Sequence, residues 1–194
     1  MVSIKRLYQI YKDTGIFNRI YMKIKIRICP FLKLEEFVPK KGRIIDLGCG
    51  VGLFANIMAL GSKERIIEAS DISRRKIDVA EKTIDDKKNI KFFIGKIQNI
   101  NSSDYDAIII SDVLYLIPIQ QHEQILRNCF KRLTKNGLLL IKEMNTRPYW
   151  KYLLNLIQET LAMKILKFTY GENFFFEVPL NIKIYFQKLV LKLR

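Results

Sequence analysis

The stretch with the greatest chemical content in this 194-residue chain is Ile44-Ile45-Asp46-Leu47-Gly48-Cys49-Gly50-Val51-Gly52-Leu53-Phe54-Ala55. An apolar strand pattern runs into Gly-x-Gly-x-Gly and then into a helical pattern. Gly48, Gly50 and Gly52 let the chain turn tightly and let a ligand approach the backbone with no Cβ in the way. A glycine triplet alone says little. A strand before it, a helix after it and an acid downstream, Asp71, together mark a nucleotide-type site. Other residues with usable chemistry follow later apolar runs: Ser111, Asp112 and Tyr115 after one, Glu143 and then Asn145 after the next. Tyr115 and Glu143 are the candidates to orient or deprotonate a substrate, with pocket wall as the alternative role for each. Cys49 reads as a small loop residue. His122, the single histidine, sits among Gln120, Gln121 and Glu123 and reads as an exposed helix residue rather than a base.

The charge of Asp46 helps to choose the ligand. In a dinucleotide site the loop faces a pyrophosphate, and a carboxylate ending the strand would set like charges together. Leu53 also stands where Gly-x-Gly-x-x-Gly would have its third glycine. A ligand carrying an ammonium and a sulfonium, S-adenosylmethionine, suits Asp46 better.

These residues need a scaffold, and the pattern around them is regular. Short apolar runs at 43–47, 65–69, 90–94, 106–110 and 138–142 read as strands. Helical patterns lie between, at 53–60, from Ser73 to about Thr83, and at 120–133, where Lys135-Asn136-Gly137 supplies a stop. Alternation of this kind predicts an α/β fold, a doubly wound and mainly parallel sheet in one domain spanning 1–194. Ahead of it lies a basic N-terminal arm, 1–34. Residues 2–21 have helical spacing interrupted near Gly15. Ile24, Ile26 and Ile28 alternate with Lys23, Lys25 and Arg27, which reads locally as a strand, with a wrapped helix as the alternative.

Composition narrows the classes further. The apolar fraction, 49%, is enough for a core, and three scattered cysteines show neither disulfide nor metal spacing. No run suits a bilayer span and the N-terminus makes a poor signal peptide, so a cytoplasmic protein, peripheral to the membrane at most, is expected. The net charge of +15 is uneven: residues 1–43 carry +8 and residues 142–194 carry +5. Such flanks can contact an anionic membrane or, less favoured here, nucleic acid; the plainer reading is a solvated lysine-rich surface.

Residues 35–145 resemble the class I S-adenosylmethionine-dependent methyltransferases. Ile45–Gly52 is similar to that family's first motif and Ser70-Asp71-Ile72-Ser73 to its second. Residues 105–115 resemble the fourth-strand motif and 133–141 the turn into strand five. The resemblance implies S-adenosyl-L-methionine held by Asp46, Gly48, Gly50, Gly52, Asp71, Ile72, Lys96, Ile97 and Asp112, with Asp71 taking the ribose hydroxyls. Lys96 departs from the family, many of whose members have an aspartate there to accept a bond from the adenine amino group. A lysine cannot accept it. Adenine recognition then falls to Ile97, backbone and apolar packing. The implied reaction is methyl transfer. The acceptor is expected to be a small molecule or lipid, since no Asn-Pro-Pro-Tyr run follows strand four. The rivals are a degenerate, inactive methyltransferase-like binding protein, which Lys96 favours, and a nicotinamide-dependent oxidoreductase, which Asp46 and Leu53 disfavour.

Such domains usually close their sheet with a helix and an antiparallel strand pair. Here 150–166 reads as the helix and 173–178 as one short strand. Ile182, Tyr185, Phe186, Leu189, Val190 and Leu193 then recur at helical intervals. The expectation is a sheet lacking the C-terminal strand hairpin.

Overall fold

The computed structural model describes residues 2–85, 89–100, 102–143, 182–186 and 189–193, the last two stretches for their strand pairing. Three helices come first: α1 (Ile4–Ile10), α2 (Ile16–Ile28) and α3 (Phe31–Phe37). Strand β1 (Gly42–Leu47) leads into α4 (Leu53–Gly61), β2 (Arg65–Asp71) into α5 (Arg74–Glu81), and β3 (Ile90–Ile94) into β4 (Tyr105–Ser111). Two single-turn helices at Leu114–Leu116 and Ile119–Gln121 precede α6 (His122–Arg132), β5 (Leu133–Lys142), β6 (Ile182–Phe186) and β7 (Leu189–Leu193).

The sheet runs β3-β2-β1-β4-β5-β6-β7. Its first five strands pair in parallel, while β5–β6 and β6–β7 are antiparallel. Strand order reverses between β1 and β4, which opens a crevice beyond their carboxyl ends. Burial on both faces explains why the strands read as continuous apolar runs. Successive side chains alternate between faces: Ile44, Ala107, Ile109, Leu138 and Leu140 join the core under α1–α5. Their neighbours Ile45, Ile108, Ile110, Leu139 and Ile141 pack with Ile125 and Cys129 of α6.

The strand reading of 24–28 is corrected, because these residues lie within α2. Gly15, at φ +88°, starts that helix, and its inward face is Asn18, Met22 and Lys25. Ile26 and Ile28 pack half-buried against the core while Ile24 stays exposed. Polar Asn18 and Lys25 interrupt the apolar stripe of the buried face, so the alternation of Ile24, Ile26 and Ile28 stood out in its place. The basic arm is therefore helical and built into the core, with Leu7, Tyr11, Met22 and Leu34 at 1% exposure or less. Arg65, fully buried, fastens it. Its guanidinium donates to Glu35 Oε1 (2.6 Å) and to the carbonyls of Met58 (2.7 Å), Val38 (2.8 Å) and Pro39 (2.7 Å). Burial raises the Glu35 carboxyl, but the bonds from Lys40 and Arg65 outweigh it and hold the group below its ordinary range.

The missing hairpin is also corrected. The run 182–193, expected as helix, forms β6 and β7, with Phe186 opposite Leu189. Ile182, Ile184 and Phe186, and likewise Leu189, Leu191 and Leu193, keep a period of two, while Ile182, Tyr185, Phe186, Leu189, Val190 and Leu193 in the same run keep one of 3.6. The open edge of β5 supplies the backbone partners that decide between them. The expected helix at 150–166 and strand at 173–178 lie outside the described residues, as does Asn145. No helix among the described residues is long and apolar enough to cross a membrane.

Candidate active site

The glycine loop folds back onto the end of β2. Gly48 and Cys49 donate their N–H groups to the Ser70 carbonyl at 2.7 and 2.9 Å, and the Gly50 N–H reaches Asp71 Oδ2 at 3.0 Å. Gly48 has φ +78°, and a Cβ there would overlap Val113. Gly50 has φ +57°, and a Cβ there would meet only open space. The backbone at Gly50 is thus presented to a cavity.

That cavity has a volume of about 340 Å3, within the range of small-molecule sites, about 300–1,000 Å3. It lies at the crevice where strand order reverses. One wall is made of Asp46 at the end of β1, Gly48 and Gly50 of the loop, Asp71 and Ile72 at the end of β2, and Lys76 of α5. The segment after β3 contributes Gly95, Lys96, Ile97 and Gln98, and the end of β4 contributes Ser111, Asp112 and Val113. The N-terminal helices form the roof with Asn18, Tyr21, Lys25 and Phe31.

Polar atoms without partners are concentrated here. Among the described residues four buried side-chain oxygens lack a hydrogen bond, and three belong to cavity-lining residues: Asp46 Oδ2, Ser111 Oγ and Asn18 Oδ1. A buried polar atom left unpaired costs about 1–3 kcal/mol, so their gathering around one cavity is the signature of a site completed by a polar ligand. Asp46 is 1% exposed. Burial, and then the nearby charge of Asp71, push its carboxyl up to about 7, against the bond from the Ala55 N–H at the start of α4. A cation placed at Oδ2 would reverse that penalty.

Asp71 is held for a different task. Its Oδ1 accepts from the Ser73 N–H at 2.8 Å and its Oδ2 from Gly50, which fixes the carboxylate while leaving a second lone pair on each oxygen. Ile72 is exposed and Ile97 is buried, with both facing the cavity, whereas Lys96 sits exposed at its rim.

The far end is built around Asp112, whose backbone takes φ +56° as its N–H donates to the Lys142 carbonyl at 2.8 Å. Lys142 Nζ lies 2.6 Å from both Asp112 oxygens, and Lys25 Nζ lies 3.3 Å from Oδ2. All three side chains are 7–8% exposed. Burial raises the Asp112 carboxyl, and the two ammonium groups outweigh that and hold it low.

Three expected site residues fall elsewhere. Gly52 does not line the cavity: at φ +78°, its missing side chain makes room for Phe92 and Ala80, so it is a packing glycine between α4 and the sheet. Tyr115 is buried away from the cavity lining. Glu143 accepts the N–H groups of Val113, Leu114 and Tyr115 at 3.0–3.4 Å, which secures the turn after β4. Burial, followed by Asp112, pushes its carboxyl up to about 7. His122 is likewise tied down rather than solvated, its Nε2 lying 2.9 Å from the carbonyls of Leu114 and Ile117. Sequence reasoning missed Asn18, Tyr21, Lys25 and Lys142. The signal available was the Asn18–Lys25 pair, two polar residues seven positions apart on one helix face with Met22 between them.

Comparison with known proteins agrees with this architecture. Residues 39–174 match the family model described as a methyltransferase domain. The chain belongs to the methyltransferase domain family. It is 26% identical over 143 residues to the malonyl-[acyl-carrier protein] O-methyltransferase of Halalkalibacterium halodurans, covering 69% of this chain and 51% of that one. It is 23% identical over 146 residues to malonyl-[acyl-carrier protein] O-methyltransferase 1 of Ilyobacter polytropus, covering 73% and 52%. The chain thus spans about half the length of these relatives. A crystal structure of a proposed S-adenosyl-L-methionine-dependent methyltransferase from Methanococcus maripaludis shares the fold, with TM-score 0.61, 20% identity, and 80% and 74% of the two chains covered. Helices α1–α3, which form the roof of the cavity, precede the residues that match the family model.

Proposed function

We propose that the cavity binds S-adenosyl-L-methionine and that the protein transfers its methyl group to a small-molecule or lipid acceptor. The observation that carries this reading is the buried, unpartnered Oδ2 of Asp46 facing a glycine loop whose backbone is open to ligand. Asp46 would hold the cationic amino-acid end and Asp71 the ribose hydroxyls. Ile72 and Ile97 would enclose the adenine, with the backbone at 96–98 available to its polar edge. Lys96 at the rim, unable to accept from adenine, leaves that recognition to apolar packing. Of the loop glycines, Gly50 would leave its backbone open to the ligand, while Gly48, which also lines the cavity, makes room for Val113.

When bound, the sulfonium supplies an already activated methyl group. The protein's task is then to orient the acceptor and exclude water. Phe31, Tyr21, Leu116 and Ile117 give the roof and the β4 side apolar surface to do so. Asp112, committed to its two lysines, sets the electrostatics of that end. The names of the two curated relatives, both O-methyltransferases of a carrier-borne acyl group, support an acceptor that is small or lipid-like rather than nucleic acid. Calorimetric titration with S-adenosylmethionine, its demethylated product and NAD tests the proposal. Saturable binding of the first two without NAD is expected, and tight NAD binding would overturn it.

A further inference from the structure

Helix α2 has two working faces. Its inner face supplies Asn18, Tyr21 and Lys25 to the cavity. Its outer face carries Ile16, Phe17, Ile20 and Ile24, at 60%, 65%, 48% and 43% exposure. Four large apolar side chains exposed along three turns of one helix form a contiguous strip rather than the scattered singles normal for a protein surface. Arg19, Lys23 and Arg27 follow the strip at intervals of four along one flank, also exposed, and α2 contains no acidic residue. Helix α1 abuts this flank, with Lys23 Nζ 5.7 Å from the centre of the Tyr8 ring.

We propose that this outer face of α2 docks the protein on an anionic bilayer, lying in the interfacial plane. An apolar strip edged by cations is the pattern of an interfacial helix: the isoleucines and phenylalanine enter the acyl boundary while the bases meet lipid phosphates. Two features select a bilayer over nucleic acid. A polyanion without an apolar phase leaves four large hydrophobic side chains in water, and the strip offers no polar side chain for base edges. The middle of the chain, residues 44–141, carries a net charge of only +2, so the basic character lies on the flanks rather than over the whole surface. Docking by α2 would set the roof of the cavity against the membrane. In the reading above, which this consequence rests on, that gives a lipid-type acceptor a short route to the methyl donor. The docking itself does not depend on that reading.

The test is co-sedimentation of the full chain with vesicles of phosphatidylcholine alone and of phosphatidylcholine with phosphatidylglycerol, at low and high salt. Three proteins are compared: the natural sequence, Phe17→Ser with Ile20→Ser, and Arg19→Glu with Lys23→Glu. Neither pair lines the cavity. Circular dichroism and binding of S-adenosylhomocysteine report whether each variant is folded. The expected result is binding to the anionic vesicles that weakens with salt, little binding to neutral ones, and a loss of about tenfold or more in affinity in either variant. Equal binding by the variants, equal binding to neutral vesicles, or capture of a single-stranded oligonucleotide in preference to anionic vesicles would overturn the proposal. So would a dimer that the Phe17/Ile20 variant dissociates and that does not bind lipid. Loss of S-adenosylhomocysteine binding by the natural sequence would instead overturn the functional reading and leave the docking result standing.

Discussion

The two ends of the cavity are built on opposite principles. At the β1–β2 end, Asp46 keeps one oxygen unpartnered and Gly50 opens onto empty space, so the protein alone leaves the site incomplete. At the α2–β5 end, Lys25, Asp112 and Lys142 satisfy one another in a buried cluster that needs no ligand. The first end leaves a buried polar atom unpartnered, and the second is a structural joint between the roof and the sheet. Charged residues lining one pocket therefore do different work: substitutions at the first end should cost ligand affinity, and substitutions at the second should cost stability.

The largest effect should come from detaching the roof. Arg65→Ala removes the guanidinium that joins Glu35 and the Pro39 turn to α4 and β2, and leaves three buried carbonyls short of a donor. Breaking a buried pair typically costs about 3–5 kcal/mol. For a chain of this size each kcal/mol lowers Tm by roughly 2–4 °C, so calorimetry should show a drop of roughly 10 °C. A change within a degree or two would mean that α1–α3 are held by apolar packing alone.

Asp112→Asn comes next. It strands two buried ammonium groups, and a loss of about 3 kcal/mol in stability is expected from the same asymmetry. Lys25→Met should cost less, because the longer 3.3 Å contact is lost while Lys142 keeps its bidentate grip at 2.6 Å. Denaturant melts of the two variants check the order. If Asp112→Asn left stability intact and abolished binding of S-adenosylhomocysteine, the contrast between the two ends would fail.

At the open end, Asp71→Ala removes a carboxylate whose two oxygens are already oriented by backbone N–H groups. A loss of about 1–3 kcal/mol in ligand binding is expected, roughly 5- to 150-fold in Kd. Titration calorimetry reads this directly, and unchanged affinity would remove Asp71 from the site.

The same division explains what the sequence revealed. The open end was legible because backbone geometry dictates its residue types: turns at positive φ ask for glycine, and the strand ends that face the cavity carry the acids. Asp46, Gly48, Gly50 and Asp71 all lie where their spacing implied. Gly52 misled because a glycine needed for packing against Phe92 looks the same in sequence as one needed by a ligand. The closed end was illegible because Lys25, Asp112 and Lys142 come from three distant elements, and nothing in their local patterns links them. Strands β1–β5 were readable from apolar runs buried on both faces. The C-terminal pair was not, since 182–193 fits either period and only the free edge of β5 resolves the choice.

The smallest effect concerns pH, and it separates the two raised carboxyls. The Asp46 carboxyl stands at about 7, above its usual 3.8, through burial and then Asp71; Glu143 stands at about 7, above 4.5, through burial and then Asp112. For both groups the folded pKa exceeds the unfolded one. Their contribution to stability is therefore fully present below about pH 4 and is lost as pH rises through 7. Their linkage to ligand binding should differ. An ammonium at Asp46 requires the ionised carboxylate, so below pH 7 part of the binding energy goes into removing its proton. S-adenosylhomocysteine should then bind about tenfold more weakly at pH 6 than at pH 8, equivalent to about 1.4 kcal/mol. Glu143 faces the turn after β4, not the cavity, so Glu143→Gln should keep that profile while flattening part of the stability curve. Asp46→Asn should bind more weakly at every pH and show a flat profile. Persistence of the tenfold change in Asp46→Asn would place the titrating group elsewhere and remove the cationic ligand from this end of the cavity.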